Sequence, residues 1–269
     1  MAHLIAQKGP SPQFAGARPV IDTTADDWLL TKLGLFDAGL LYAMDPQAWN
    51  GLSPVNFREK ANAHCKISAS AAPHYFDDVN FEGRRVINYS TIATNTIMPM
   101  EGSKASKSCT IVFAATRAAT PRQGVLYSST WAGSLPHQFI RQSVDGSLYF
   151  CNTNNNDLVN QLRIDASAMA APSASDPHVF AISYDDTTRA AAAFIDDGVT
   201  PVVTKTMGIQ STVSTSDQLY LGGISTGTGS AWSWGAKLGR FFYFDNALHL
   251  NYPDALSELM KMLRSIYDI

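Results

Sequence analysis

Charge is the scarcest commodity in this sequence. Only 16% of its 269 residues are Asp, Glu, Lys or Arg, against about 25% in an ordinary soluble domain. Ser, Thr, Asn, Ala and Gly fill the gap, which suits sheet faces and close protein neighbours. With a net charge of −3, the chain has no basic field to gather phosphate, and nucleic acid and anionic membrane are set aside as partners. Cysteine is also sparse. Cys65, Cys109 and Cys151 are widely spaced and odd in number, so they define neither a disulfide framework nor a zinc site. Cys109 and Cys151 lie in apolar strand-like runs and read as small buried hydrophobes of a reducing compartment. No apolar run approaches a membrane span, and Met1–Pro10 lacks the apolar core of a signal peptide. The expectation is a soluble protein made in a cytoplasm.

Apolar residues are plentiful by comparison, at 45% with 10% aromatic, enough for a sizeable core. The start is proline-rich and without hydrophobic period over 9–27, which reads as an extended arm. Thr24-Ala-Asp-Asp offers an N-cap before Trp28, Leu29, Leu30 and Leu33, with Gly34 as a stop, predicting one short helix. Residues 1–34 are therefore expected to form an arm and helix, and 35–269 one domain.

Beyond Gly34 the apolar runs become short and are separated by Asp, Asn, Gly and Pro, as in strands. Leu35–Met44 and Val86–Tyr89 are such runs, with long connections expected over 50–81. Eight further strands are predicted in series: Cys109–Ala114, Val125–Ser128, Gln138–Gln142, Ser147–Asn152, Val179–Tyr184, Ala191–Ile195, Gln218–Leu221 and Leu238–Phe244. Asp145-Gly146 and Asp197-Gly198 read as tight hairpin turns needing positive φ, and Asp185–Arg189 as the turn of another hairpin. Phe180, Ile182 and Tyr184 fall on one face of their strand, with Phe180 and Ile182 expected in the core. At the end, Leu256, Leu259, Met260, Leu263 and Ile266 repeat at helical spacing after Pro253. Many short antiparallel strands and one terminal helix predict an all-β, two-sheet jelly-roll sandwich.

Four local patterns carry a resemblance. They are Ser108-Cys-Thr-Ile-Val-Phe-Ala-Ala; Val179-Phe-Ala-Ile-Ser-Tyr-Asp with Ala192-Ala-Phe-Ile-Asp-Asp-Gly; Leu219-Tyr-Leu-Gly-Gly; and Gly239-Arg-Phe-Phe-Tyr-Phe-Asp-Asn-Ala-Leu. In order and spacing they resemble the concanavalin A-like lectin/glucanase jelly-roll superfamily, and within it laminin-G-like and pentraxin-like modules. Such modules serve as carbohydrate binders, adhesive domains and bacteriophage structural proteins, so the resemblance implies fold more than function.

The chemistry is thin. Retaining glycosidases of that superfamily need two carboxylates about 5–5.5 Å apart, typically on a Glu-x-Asp-x-Glu strand. Here Glu59, Glu82, Glu101 and Glu258 are the four glutamates, and no two are near in sequence. The pairs Asp77-Asp78, Asp185-Asp186 and Asp196-Asp197 point to opposite faces of a strand and read as turn formers. Calcium wants six to eight oxygens; Asn152, Asn154 and Asp157 are the candidate ligands, although an Asn-rich stretch more often makes turns. The six histidines lack zinc spacing, and Gly222–Ser230 reads as a flexible loop without the Lys of a phosphate loop. Tyr127, Trp131, Trp232 and Trp234 are candidate sugar-stacking aromatics, with core or interface packing as the rival reading.

The resulting expectation is a non-enzymatic virion structural protein, a bacteriophage capsid decoration or tail component. It would be located in the virion, act through contacts with other virion proteins, and assemble as a homo-oligomer, a trimer as the first guess. The alternative is a carbohydrate-binding or adhesion module using the loop aromatics on a glycan, with calcium as the one cofactor left open.

Overall fold

A computed structural model of the protein describes residues 32–35, 37–46, 66–67, 74–89, 98–118, 124–132, 135–154, 157–169, 176–214, 216–224 and 234–269. The proline-rich arm lies outside these, as does nearly all of the helix expected before Gly34.

Two antiparallel sheets dominate. The larger runs β15 (Val203–Thr206), β14 (Ala190–Ile195), β13 (His178–Tyr184), β6 (Cys109–Ala115), β17 (Lys237–Phe244), β4 (Arg84–Asn88) and β3 (His74–Asp78), and β1 (Leu40–Met44) also pairs with β17. The smaller runs β12 (Gln161–Ile164), β11 (Leu148–Cys151), β10 (Phe139–Gln142), β7 (Gly124–Ser128), β16 (Leu219–Leu221), β5 (Met98–Glu101) and β2 (Lys66–Ile67). A separate hairpin joins β8 (Trp131–Ala132) to β9 (Leu135–Pro136). Helices α1 (Leu248–Asn251) and α2 (Pro253–Tyr267) end the chain. The all-β, two-sheet sandwich read from the sequence is the fold observed.

Strand β6 shows why the larger sheet holds. All seven of its residues are buried, because both of its faces are covered. Ile111 and Phe113 face the other sheet with Phe180, Ile182, Phe241, Tyr243, Leu126, Ile140 and Phe150. Val112 and Ala114 face outward into a second apolar layer with Val179, Ala181, Phe242 and the Leu256, Leu259, Met260 and Leu263 stripe of α2. A sheet buried on both faces reads as a continuous apolar run, whereas a sheet wet on one side alternates. On the smaller sheet Leu148 and Phe150 of β11 point into the core, while Tyr149 and Cys151 point to the outer face, where they too are buried.

Side-chain hydroxyls tie connections to the core. The crossing from β5 to β6 donates Lys104 N–H to Tyr42 (2.8 Å) and Ser106 N–H to Tyr243 (2.7 Å). At the entry to α1, Thr110 Oγ1 accepts Leu248 N–H at 2.9 Å and meets Ser183 Oγ at 2.7 Å. Arg240 pairs with Asp45 at 2.6 Å, both largely buried, linking β17 to the end of β1.

Several sequence expectations need correction. The supposed connection over 50–81 contains β2 and β3; β3 pairs along its whole length with β4, from His74 opposite Asn88 to Asp78 opposite Arg84. The run Leu35–Met44 is a strand only from Leu40. Asp145-Gly146 does form a hairpin turn, with Gly146 at φ 83°. Asp197-Gly198 does not: β14 and β15 are joined by a longer link, and Asp196, not Gly198, carries the positive φ of 55°. Gly198 is needed for space, since a Cβ there would stand 2.6 Å from the Ser257 backbone of α2.

Candidate functional site

The outer face of the smaller sheet is where chemistry gathers. Register builds it. Arg141 of β10 lies opposite Tyr149 of β11, and Tyr149 lies opposite Arg163 of β12. Side chains at paired positions share a face, so the three form one straight row across three strands. The guanidinium carbons of Arg141 and Arg163 sit 5.0 and 5.7 Å from the Tyr149 ring centre, within cation–π range. Tyr149 is only 8% exposed, because the two arginines flank it.

At the solvent end of the row, Arg163 bonds Asp145 (Nη2 to Oδ2, 3.2 Å) and Asp165 (Nε to Oδ1, 2.7 Å). All three side chains are about half exposed. Asp145 is held below the usual carboxylate range, first by the Ser147 backbone N–H and then by the charge of Arg163. Beside the row, the same face carries Val125, Phe139 and Cys151, buried beneath Ile224. The Cys151 thiol is pushed up to about 12 by burial, against the opposing effect of Arg141. Around the sheet edge from Arg163 lies a cleft of about 280 Å³, lined by Ile164, Asp165, Ser167, Ala168, Val202 and Val203 as well as Arg163 itself.

Two of the expected stacking aromatics are not on this face. Tyr127 and Trp234 are buried in the inter-sheet core, at 0% and 1% exposure, so neither offers a ring face to a sugar. Tyr127 donates its hydroxyl to Gln138 at 2.9 Å, and Trp234, a member of the main core, donates its backbone N–H to the Gly222 carbonyl at 3.0 Å. Trp131 begins the β8–β9 hairpin, and Trp232 lies outside the described residues. The candidate calcium ligands also diverge in role. Asn152 is fully buried and spends its Nδ2 on Tyr184 (2.9 Å) and the Ile209 carbonyl (2.8 Å), while Asn154 and Asp157 are exposed. Among the described residues, no three His, Cys, Asp or Glu side chains are grouped to hold a metal ion.

The aspartate pairs split as opposite-facing neighbours should. Asp185 Oδ2 accepts Thr188 N–H and hydroxyl in its turn, while Asp186 Oδ1 accepts the Tyr184 hydroxyl and the Ser211 N–H inside. Asp196 accepts Val179 N–H and meets His178 at 2.6 Å; Asp197 accepts Val199 N–H. Asp78 caps Asn80 and binds Lys237. A Ser183–His249 contact at 2.7 Å looks like part of a nucleophilic triad, but Ser183 is fully buried, already shared with Thr110, and serves to dock α1. His137 meets the buried Asp217 at 2.5 Å, and Asp217 also accepts Ser214 N–H, pinning two loops rather than activating a nucleophile.

Sequence reasoning missed the row. Its members are far apart along the chain and only pairing register unites them; the available signal was an outward Arg or Tyr alternating with inward Leu, Ile or Phe on successive strands.

No family model matches the sequence, and no curated protein matches it. Solved structures do. A Trypanosoma rangeli sialidase in complex with 2,3-difluoro-KDN superposes with a TM-score of 0.55 at 11% identity, over 85% of this chain and 33% of that one. A receptor binding domain gives 0.54 at 10% identity, over 86% and 52%. The CBM40 of Ruminococcus gnavus IT-sialidase, bound to α2,3 sialyllactose, gives 0.49 at 17%, over 64% and 96%. The chain thus spans a third of the sialidase and about half of the receptor binding domain. At these identities the likeness establishes the two-sheet jelly-roll fold and nothing finer.

Proposed function

We propose that the chain is a non-enzymatic glycan-binding or adhesion module that reads its ligand with the outer face of the smaller sheet. The observation that carries this is the Arg141–Tyr149–Arg163 row: guanidiniums held against one ring on the outer face of the smaller sheet, with the Arg163 side chain half exposed, while the larger sheet is covered by α2. Hydrogen-bond donors fixed on a rigid face are what hydroxyl-rich ligands need, and rigidity lowers the entropy lost on binding. The lack of catalysis in this reading rests on the aspartate pairs being spent separately on turns, caps and loop anchors. Sugar ligands appear in the names of the sialidase and the CBM40, which agrees with the reading without carrying it.

A glycan array probed with the purified protein, with and without chelator, is the test. Binding that is lost in Arg163→Gln supports the proposal; a blank array in both conditions defeats it.

A second reading, assembly with copies of itself as in a virion, is favoured by one observation. Leu158, Val159 and Ile209 are 76%, 58% and 46% exposed and adjoin through the Gly208 N–H bond to the Val159 carbonyl. Exposed apolar groups of this kind mark contact surfaces. A chain that stays monomeric by light scattering at high concentration removes this reading.

A further inference from the structure

We infer that the ligand of this face is an acidic glycan whose oxyanion engages Arg163 and whose chain continues around the sheet edge into the cleft between Ala168 and Val202. The inference rests on the glycan-binding reading and specifies its ligand class. Four observations combine.

First, the Arg163 guanidinium lies over the Tyr149 ring, which leaves its N–H edge, not its face, to meet a partner. A planar fork of donors held in this way can serve a sugar hydroxyl but binds more strongly to a carboxylate or sulfate, whose charge and paired oxygens it matches.

Second, Arg163 already binds two carboxylates, Asp145 and Asp165, at 3.2 and 2.7 Å. The site therefore demonstrates on its own atoms the chemistry it would take from a ligand. Both aspartates are 45–63% exposed, and exposed ion pairs contribute little stability, so an incoming oxyanion can replace one of them at small cost. Asp145 and Asp165 have independent solvent access to return to.

Third, Arg163 is the one residue shared by the row and the cleft. A ligand anchored on its guanidinium has the cleft as its nearest concave continuation.

Fourth, the cleft mixes apolar walls, Val202, Val203 and Ala168, with the polar edge of Ser167. That lining fits a sugar ring, which presents C–H faces and hydroxyl rims, better than it fits a simple anion. Phosphate or sulfate alone would use Arg163 and leave the cleft unused.

Titration calorimetry of the full chain with three probes tests this. The first is a hexasaccharide of alternating glucuronate and N-acetylglucosamine, the second the same chain with its carboxylates reduced to alcohols, and the third a sulfated galactan hexasaccharide free of carboxylate. At least one charged probe is expected to bind roughly ten- to a hundredfold more tightly than the neutral one, the effect of a hydrogen bond to a charged group, and which of the two does so names the oxyanion. Arg163→Gln, an exposed change, is expected to erase that difference. Ala168→Trp, which fills the cleft and keeps every charge, is expected to weaken the charged probe by a similar factor while leaving unfolding by urea unchanged.

If the neutral and charged probes bind equally, or if the charge preference survives Arg163→Gln, the inference is wrong while the glycan-binding reading stands. If affinity is retained in Ala168→Trp, the cleft has no part and the inference fails there. If none of the probes and no neutral glycan binds, the broader reading falls with it.

Discussion

The hydroxyl of Tyr267, on the last turn of α2, fills the space above Gly239 in β17. A Cβ at Gly239 would stand 2.7 Å from that oxygen, and the same oxygen accepts the Arg240 N–H at 2.9 Å. Helix and sheet are locked together where a side chain is missing. Gly239→Ala should therefore cost about 1–3 kcal/mol through overpacking, and Tyr267→Phe about 1–3 kcal/mol by leaving a buried N–H unpaired. Urea unfolding of each variant checks both; a stability within error of the parent for Gly239→Ala would show that the helix can move aside freely.

Acid should weaken the fold partly through His249. Its imidazole is depressed below the ordinary value near 6.5 because partial burial disfavours the charged form, with Asp185 opposing. In the unfolded chain the imidazole protonates first as pH falls, so its contribution is intact above about pH 6.5 and is lost below it, down to the folded value. The difference in urea midpoint between pH 7 and about pH 5.5 should shrink in His249→Gln, and an identical slope in both proteins would rule His249 out as the sensor.

Asn152 is a structural residue in this fold. Asn152→Ala removes the donor to Tyr184 and the Ile209 carbonyl and should lower stability by about 1–3 kcal/mol. Melting of the parent protein should be unchanged by chelator or by millimolar calcium. A calcium-dependent rise in Tm that Asn152→Ala abolishes would restore the loop as a metal site.

Buried thiols should be inert. Cys109 and Cys151 are at 0% exposure, and burial raises both thiols, that of Cys151 to about 12. A Cys65→Ser variant should take up no disulfide reagent while folded and react at both sites in denaturant. Rapid labelling of the folded variant would mean that the packing over Cys109 in the inter-sheet core or over Cys151 beside Ile224 opens.

How much of this was readable beforehand depended on whether local pattern or pairing register decided the matter. Val179–Tyr184 and Cys109–Ala114 announced themselves, because large apolar residues alternate or run continuously over enough positions to outweigh their surroundings. The α2 stripe was equally plain. Short strands escaped: Met98–Glu101 carries Pro99, Gln161–Ile164 has only two inward residues, and Val203–Thr206 is an edge rich in Thr and Lys. For Tyr127 and Trp234 the sequence offered ring chemistry without burial, so core aromatics stood as candidate sugar platforms. The row of Arg141, Tyr149 and Arg163 was invisible for the converse reason. Each residue is ordinary in its own strand, and only the antiparallel register makes a surface of them.

Because α2 seals the back of the larger sheet with Leu256, Leu259, Met260 and Leu263, the molecule has a front and a rear. The larger sheet's outer surface is spent on this packing, so its strands cannot also present a ligand surface there. Cutting the chain before Pro253 would strip that cover and expose Val112, Ala114, Val179, Ala181 and Phe242 together, a contiguous apolar patch of the kind that drives association.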